Sequence, residues 1–260
     1  MDPEILGLLL LVGVAAGWVD AVVGGGGLLL LPALLVAAPT TPLATLLGTN
    51  KLGAVFGTTS AAIAYARKVR IERRVVLPTA ALALLGSGLG AALAAALTAD
   101  VLKPVIMVVL AGVALMVYFR PAMGVESDQR LRTRNRILAV VAIAGLGVSF
   151  YDGLIGPGTG VFLIIAFTAV VGMDFVAASA SAKIVNVCTN LGALVVFGLG
   201  GHIDWLLGLG LAICTIIGAQ IGARMALRRG SGFVRAVLLV VVIALLARMG
   251  WDIFATASWS

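Results

Sequence analysis

Four ionisable residues lie within long apolar stretches, where charge is costly: Asp20, Lys51, Asp152 and Lys183. A lysine or aspartate near the centre of a bilayer costs roughly 2.5–3.5 kcal/mol on insertion scales, so it persists where it meets a partner, water or an ion. Two lysines held together there would favour a small mono- or dianion. Two aspartates would carry a proton, or cap free backbone N–H groups. Their spacing is regular: Asp152 follows Asp20 by 132 positions, and Lys183 follows Lys51 by 132. The same shift takes Gly24 to Gly156, Gly86 and Gly90 to Gly218 and Gly222, and Lys103 to Arg235. A constant, gapless offset across about half the chain is an internal repeat.

The elements that must hold these residues are apolar runs. Of 260 residues 62% are hydrophobic and 11% charged, and the mean hydropathy is +1.17. Long apolar runs fill residues 5–38, 43–66, 75–97, 101–119, 137–172, 175–200, 205–227 and 233–254. Roughly 20 such residues make one bilayer-spanning helix. A β-barrel is excluded, because its strands alternate with period two and these runs do not. The expected fold is an all-α polytopic membrane protein of two inverted repeats, each of about four helical segments. Residues 1–119 form the first repeat, 120–136 a linker and 137–260 the second, in one integrated membrane domain.

The net charge of +7 is not a nucleic-acid signal. Of 18 Lys and Arg, five lie in 67–74, five in 120–136 and four in 224–235. These clusters flank apolar runs, as cytoplasmic loops do. In the second repeat, the counterpart of loop 67–74 holds His202 and Asp204 and no basic residue. The counterpart of the balanced loop 98–103 carries Arg228, Arg229 and Arg235. Opposite bias in matching loops implies opposite insertion. The linker is expected in the cytoplasm and both termini outside, in an inner or plasma membrane. The first run, preceded by Asp2 and Glu4, is expected to be retained rather than cleaved. Inversion needs an odd number of net crossings per repeat. The first run of each is therefore expected to be broken or re-entrant at its glycines, with arms beginning after Gly27 and after Gly160.

Irregular backbone at membrane depth lines a cavity or is buried in protein. In transporters built from inverted repeats, broken helices meet near the midplane and their ends bind substrate. The expected anion seat comprises N–H groups of Gly25, Gly26, Gly27, Gly158, Thr159 and Gly160 with Lys51 and Lys183. Thr49, Asn50 and Thr58 in the first repeat, and Ser179, Asn186 and Asn190 in the second, are its hydrogen-bonding candidates. Lys51 stands about nine residues into its run, roughly 13 Å deep at helical rise. Each lysine could instead pair with Asp20 or Asp152 as a buried bridge, and both roles can hold together. Asp20 and Asp152 are candidates for proton coupling, or for bonding the orphan N–H groups of the turns. Sodium is the alternative coupling ion.

Tyr151 is read as packing, Gln220 as a helix–helix bond, His202 as solvated, and Cys188 and Cys214 as small buried thiols. The ridge Gly86-Ser87-Gly88-Leu89-Gly90 and its counterpart predict close helix contact. No metal-ligand spacing or P-loop occurs, and no cofactor is expected. The expected partners are a small anion, the bilayer and, left open, a second copy of the chain.

Gly17, Val23-Gly24-Gly25-Gly26-Gly27 and Leu31-Pro32 resemble the glycine-rich first signature of the TauE/SafE sulfite exporter family. Phe150-Tyr151-Asp152-Gly153, Gly156-Pro157-Gly158-Thr159-Gly160, Ala178-Ser179-Ala180 and Lys183-Ile184-Val185-Asn186 with Thr189-Asn190 resemble its second. Many members have Gly-x-Gly-Gly-Gly where this chain has Val-Gly-Gly-Gly-Gly. The resemblance implies a membrane transporter of small sulfur-containing anions, such as sulfite, sulfoacetate or related sulfonates, often outward. Rival classes are an anion channel and an intramembrane hydrolase. Tyr151-Asp152 matches only half of an aspartyl-protease pair, because Asp20 precedes its glycines.

Overall fold

The structure, a computed structural model, describes residues 2–97 and 127–257, with side chains in the last helix up to residue 241. Eight long helices and one 3-10 turn, Gln129–Leu131, occur among the described residues, and no strand does. The first half holds α1 (Pro3–Val23), α2 (Gly26–Ala37), α3 (Leu43–Ala66) and α4 (Arg73–Ala96). The second holds α5 (Arg134–Leu154), α6 (Thr159–Val171), α7 (Phe175–Leu199) and α8 (Trp205–Ala257). Helix α8 breaks at Gly230, whose φ is 73° and ψ −167°. Shifting α1, α2 and α3 by 132 positions reproduces α5, α6 and α7 to within two residues, and the start of α4 falls on the start of α8. The apolar run 101–119, loop 98–103 and Arg120 lie outside the described residues.

Helices α1, α4, α5, α7 and α8 as far as Val241 are long and apolar enough to cross a bilayer. Helix α3 is as long as α4 but more polar, because it carries Thr49, Asn50, Lys51 and Thr58 inward. Helices α2 and α6, of 12 and 13 residues, reach only about 18–20 Å, short of a hydrocarbon core of about 30 Å. They are half-length arms that fold back from the ends of α1 and α5. Leu8, Leu11, Leu89, Val195 and Leu206 each expose more than half their surface. In water that would be an anomaly; against lipid tails it is the expected exterior.

The halves interlock through glycine contacts. Helix α4 lays Gly86 and Gly90 on the backbone of α5 at Leu146 and Phe150, so close that an added methyl would sit 2.0 Å from the Phe150 carbonyl oxygen. Helix α8 lays Gly218 and Gly222 on α1 at Val14 and Trp18. All four of those positions are the repeat counterparts of the first four. Small residues remove the side-chain spacer, so backbones touch and dispersion contacts multiply. The ridges predicted from sequence are these surfaces. Gln220 adds a bond across helices, donating to the Ser60 hydroxyl at 2.6 Å.

Counterparts α3 and α7 run antiparallel. Gly48 near the start of α3 meets Phe197 near the end of α7, while Ala66 at the end of α3 borders the same recess as Ile184 early in α7. The basic segments gather at one end of the molecule. Arg132 of the linker pairs with Glu72 in the α3–α4 loop at 3.0 Å, and Arg136 donates to the Val170 carbonyl. At the other end, loop 200–204 folds onto the start of α3. There His202 is half-buried, with its carbonyl against Gly48, rather than solvated as expected. The thiols of Cys188 and Cys214 are likewise only part-buried, although Cys214 lies against Gly13 of α1.

The arrangement predicts the sidedness of labelling. With Cys188 and Cys214 replaced by alanine, single cysteines at exposed positions 40 and 204 should react with an impermeant maleimide from one side of oriented vesicles. Cysteines at 70 and 130 should react only from the other.

Candidate functional site

The glycine turns place the charges. Helix α1 ends where Gly24 adopts φ 78°, a left-handed conformation with no steric cost for glycine, and its N–H bonds the Asp20 carbonyl. Two residues later α2 begins at Gly26, with Gly25 as a cap that has no side chain to offer its N–H groups. In the second half, Gly156 and Gly158 have φ 94° and 87°, and α6 begins at Thr159. Both arms start slightly before the positions expected from sequence, because each helix forms as soon as the left-handed glycine has turned the chain. The breaks meet: Gly160 N–H donates to the Gly24 carbonyl at 3.2 Å. A methyl on Gly24 would lie 2.2 Å from the Gly160 Cα.

Around this contact the four charges pair across the halves. Lys51 Nζ donates to Asp152 Oδ2 at 2.6 Å, and Lys183 Nζ donates to Asp20 Oδ2 at 3.0 Å. Because Lys51 and Lys183 are counterparts, and Asp20 and Asp152 are counterparts, each pair is the repeat image of the other. Sequence spacing left open which aspartate each lysine would meet. Each meets the one from the opposite half. Lys51 and Lys183 are 2% and 0% exposed, so neither ammonium has water as its partner. In so dry a setting an unpaired charge would be expelled or neutralised, and the pair keeps both groups in place.

The remaining candidates divide. Thr58 donates to Asp20 Oδ2 at 3.1 Å, and Asn50 is buried with its Oδ1 lacking any partner. A narrow cavity of about 20 Å³, room for about one water, lies between Asp20, Asn50, Thr58, Gly26 and Gly27. Thr49 points elsewhere. Its hydroxyl bonds the Thr45 carbonyl and receives the Asp204 N–H, so it ties α3 to the end loop rather than facing the charges. Ser179 donates to the Val22 carbonyl at 3.3 Å, fastening α7 to the end of α1. Asn186 and Asn190 are buried on the Lys183 face of α7. The Thr159 hydroxyl turns back to the Gly156 carbonyl, and Tyr151 bonds the Pro157 carbonyl while packing edge-on to Phe162.

Two site residues escaped sequence reasoning. Tyr65 is fully buried, with its hydroxyl on the Ala21 carbonyl, and Thr215 of α8 lines the cavity while bonding the Gly53 carbonyl. Thr215 lies three residues before Gly218, and its place in a glycine-lined helix face was the one available signal.

Taken together, interlocked lipid-facing helices and two half-length arms meeting at buried charges define a polytopic membrane protein with a broken-helix centre. Comparison with known proteins gives the family. The model for "Sulfite exporter TauE/SafE" matches residues 9–249, and the chain belongs to that family of membrane transporters. It is 37% identical over 246 residues to the "Probable membrane transporter protein ORF9" of Sinorhizobium sp., covering 95% of this chain and 92% of that one. It is 35% identical over 252 residues to the "Probable membrane transporter protein YfcA" of Escherichia coli K12, covering 97% and 92%. A "Probable membrane transporter protein" of Haemophilus influenzae is 33% identical over 249 residues, covering 96% of both chains. No solved structure matches.

The contact of the two turns predicts a stability effect. Gly24→Ala combines left-handed strain with overpacking and should cost about 3 kcal/mol, read as a lower melting temperature in detergent. Gly7→Ala, where an added methyl meets nothing within 4 Å, should leave it unchanged.

Proposed function

We propose that the chain is a secondary transporter that exports small sulfur-containing anions, such as sulfite or sulfonates, by alternating access between two inverted halves. The observation that carries this reading is the pair of crossed lysine–aspartate bridges at the meeting of two broken helices. Neutral and sealed, they make a resting state; parted, they expose ammonium groups at membrane depth. The N-terminus of α2 adds the free N–H groups of Gly26 and Gly27, and Asn50 and Thr58 add hydrogen-bonding capacity. The counterpart N-terminus of α6 differs, because Thr159 N–H donates to the Gly156 carbonyl and Gly160 N–H to the Gly24 carbonyl. A helix N-terminus attracts anions through these N–H groups and its partial positive charge.

The antiparallel course of α3 and α7 supports inversion, and the clustering of basic residues at one end supports a cytoplasmic linker with both termini outside. In each half the first helix and its arm together return to the side on which they start, since Ile5 of α1 lies beside Ala37 of α2 and Arg136 of α5 bonds the Val170 carbonyl of α6, so the pair makes no net crossing. The other three apolar runs of each half then give the odd number of crossings that inversion needs. The cavity of about 20 Å³ admits a water but not an oxyanion of four or five heavy atoms, so substrate enters only as the halves move apart. The sulfur-anion class rests on the family. Export, a proton or sodium as coupling ion, and a cell-membrane location belong to the same reading.

Flux of radiolabelled sulfite and methanesulfonate into proteoliposomes tests it. Wild-type protein should give saturable uptake, and Lys183→Ala and Lys51→Ala should each lose most of it. Uptake unchanged in both variants would remove the lysines from the mechanism.

A further inference from the structure

The two bridges are repeat images, but their surroundings are not. The Asp152 side chain is 6% exposed and the Lys51 side chain 3%, so that bridge is closed on both sides. The Lys183 side chain is 0% exposed, but the Asp20 side chain is 17% exposed and borders the cavity. The cavity is written into the sequence. Gly17, Gly27, Ala54 and Gly57 line it, and their counterparts 132 positions on are Ser149, Thr159, Asn186 and Thr189, each larger. The polar lining changes in the opposite sense: Asn50 and Thr215 correspond to Ala182 and Ala83. One half has therefore kept a polar space beside its aspartate, and the other carries larger side chains around its own. Into that space points a second, independent feature: Asn50, 4% exposed, with its side-chain oxygen unpartnered.

We propose that the bridges have different tasks: Asp20 is the proton site, taking up one proton with each monovalent anion that pairs with Lys183, while Lys51–Asp152 is a permanent clasp. This rests on the transport reading above and deepens it. The charge balance is the reason. In the resting state the ammonium of Lys183 and the carboxylate of Asp20 sum to zero. An anion added to Lys183 would leave an uncompensated negative charge in a low-dielectric site, facing a carboxylate. When Asp20 accepts a proton from the aqueous phase to which the site opens, it becomes a neutral acid, the anion replaces it beside Lys183, and the sum is again zero. Return of the proton with release of the anion restores the bridge. Water held between Asn50 Oδ1 and Asp20 would give the proton its path. Among the described residues, the charged or titratable groups facing Asp20 are Lys183 of α7 and Tyr65 of α3, whose hydroxyl is bonded to the Ala21 carbonyl. Helices α2 and α8 line the cavity there with Gly26, Gly27, Leu30 and Thr215, none of them ionisable.

Methanesulfonate is the probe, because its charge is fixed at minus one and every proton moved must be carried by the protein. Vesicles holding a pH-sensitive dye are given an inward methanesulfonate gradient, while uptake of the radiolabelled anion is followed in parallel. Wild-type protein should move one proton with each anion, and flux should not respond to an imposed membrane potential. Asp20→Asn should lose the accompanying proton. Asp152→Asn should lower the melting temperature, with any residual flux still carrying one proton per anion. Ala54→Asn, copying the residue at 186, should lose most of the flux with the melting temperature retained, which separates a blocked cavity from a misfolded protein. Wild-type flux without proton movement, or proton coupling that survives Asp20→Asn and vanishes in Asp152→Asn, overturns the proposal and leaves transport standing. Absence of any wild-type flux of methanesulfonate or sulfite overturns the transport reading and this inference with it.

Discussion

The cost of a charge away from water governs this molecule. Four ionisable groups sit in largely apolar helices, and none is tolerable alone. Each aspartate finds its lysine in the opposite half, so neither half is electrically complete without the other. That requirement fixes how the halves dock. In the proposed cycle it would also make the docked state reversible, because an ion or a proton that satisfies one partner releases the other. A hydrophobic pair of equal size would hold the halves together at least as well. It would give a substrate nothing to exchange with.

Close approach of backbones makes the pairing geometrically feasible. Lysine spans only a few bonds, so the breaks must come together before Lys51 and Lys183 can reach across. The Gly24–Gly160 contact brings them there, and the glycines of α4 and α8 draw the neighbouring helices in around it. Among the described residues, one departure of the second half from strict repetition lies in α5. Helix α5 contains a π segment, Ile143–Val148, followed by Ser149, whose hydroxyl bonds the Ala144 carbonyl at 2.7 Å. Its counterpart in α1 is regular α-helix. An extra residue per turn rotates the next stretch of helix about its axis, and that stretch carries Asp152. The two bridges thus follow one repeated pattern but rest on different local backbones.

Much of this was legible in the sequence because repetition turns a single chain into two readings of one motif. The offset fixed the correspondence of Asp20 with Asp152 and Lys51 with Lys183. Four consecutive glycines marked a break in a run too long for one span, and paired glycines marked the packing faces. Partner choice was not legible. Spacing along a helix says which residues share a face, not which face of a distant segment it meets, so the crossing of the bridges emerged only in three dimensions. Thr49 misled for the same reason: one residue from Asn50, it lies about a quarter-turn round the helix and meets the Asp204 loop instead. Tyr65 and Thr215 carried no charge or motif to draw notice, although both bond backbone carbonyls in the central layer.

The charges pair between halves rather than within one. Exchanging charges inside a bridge, Lys51→Asp with Asp152→Lys, keeps opposite charges face to face. Exchanging them inside one half, Lys51→Asp with Asp20→Lys, sets like charges against each other at both bridges. Thermal melting of the two double variants in detergent is the most direct measurement. The first should melt close to the wild-type protein and well above Lys51→Asp alone, and the second should fail to give a folded species. Equal stability of the two, or no recovery in the first, would contradict the crossed pairing.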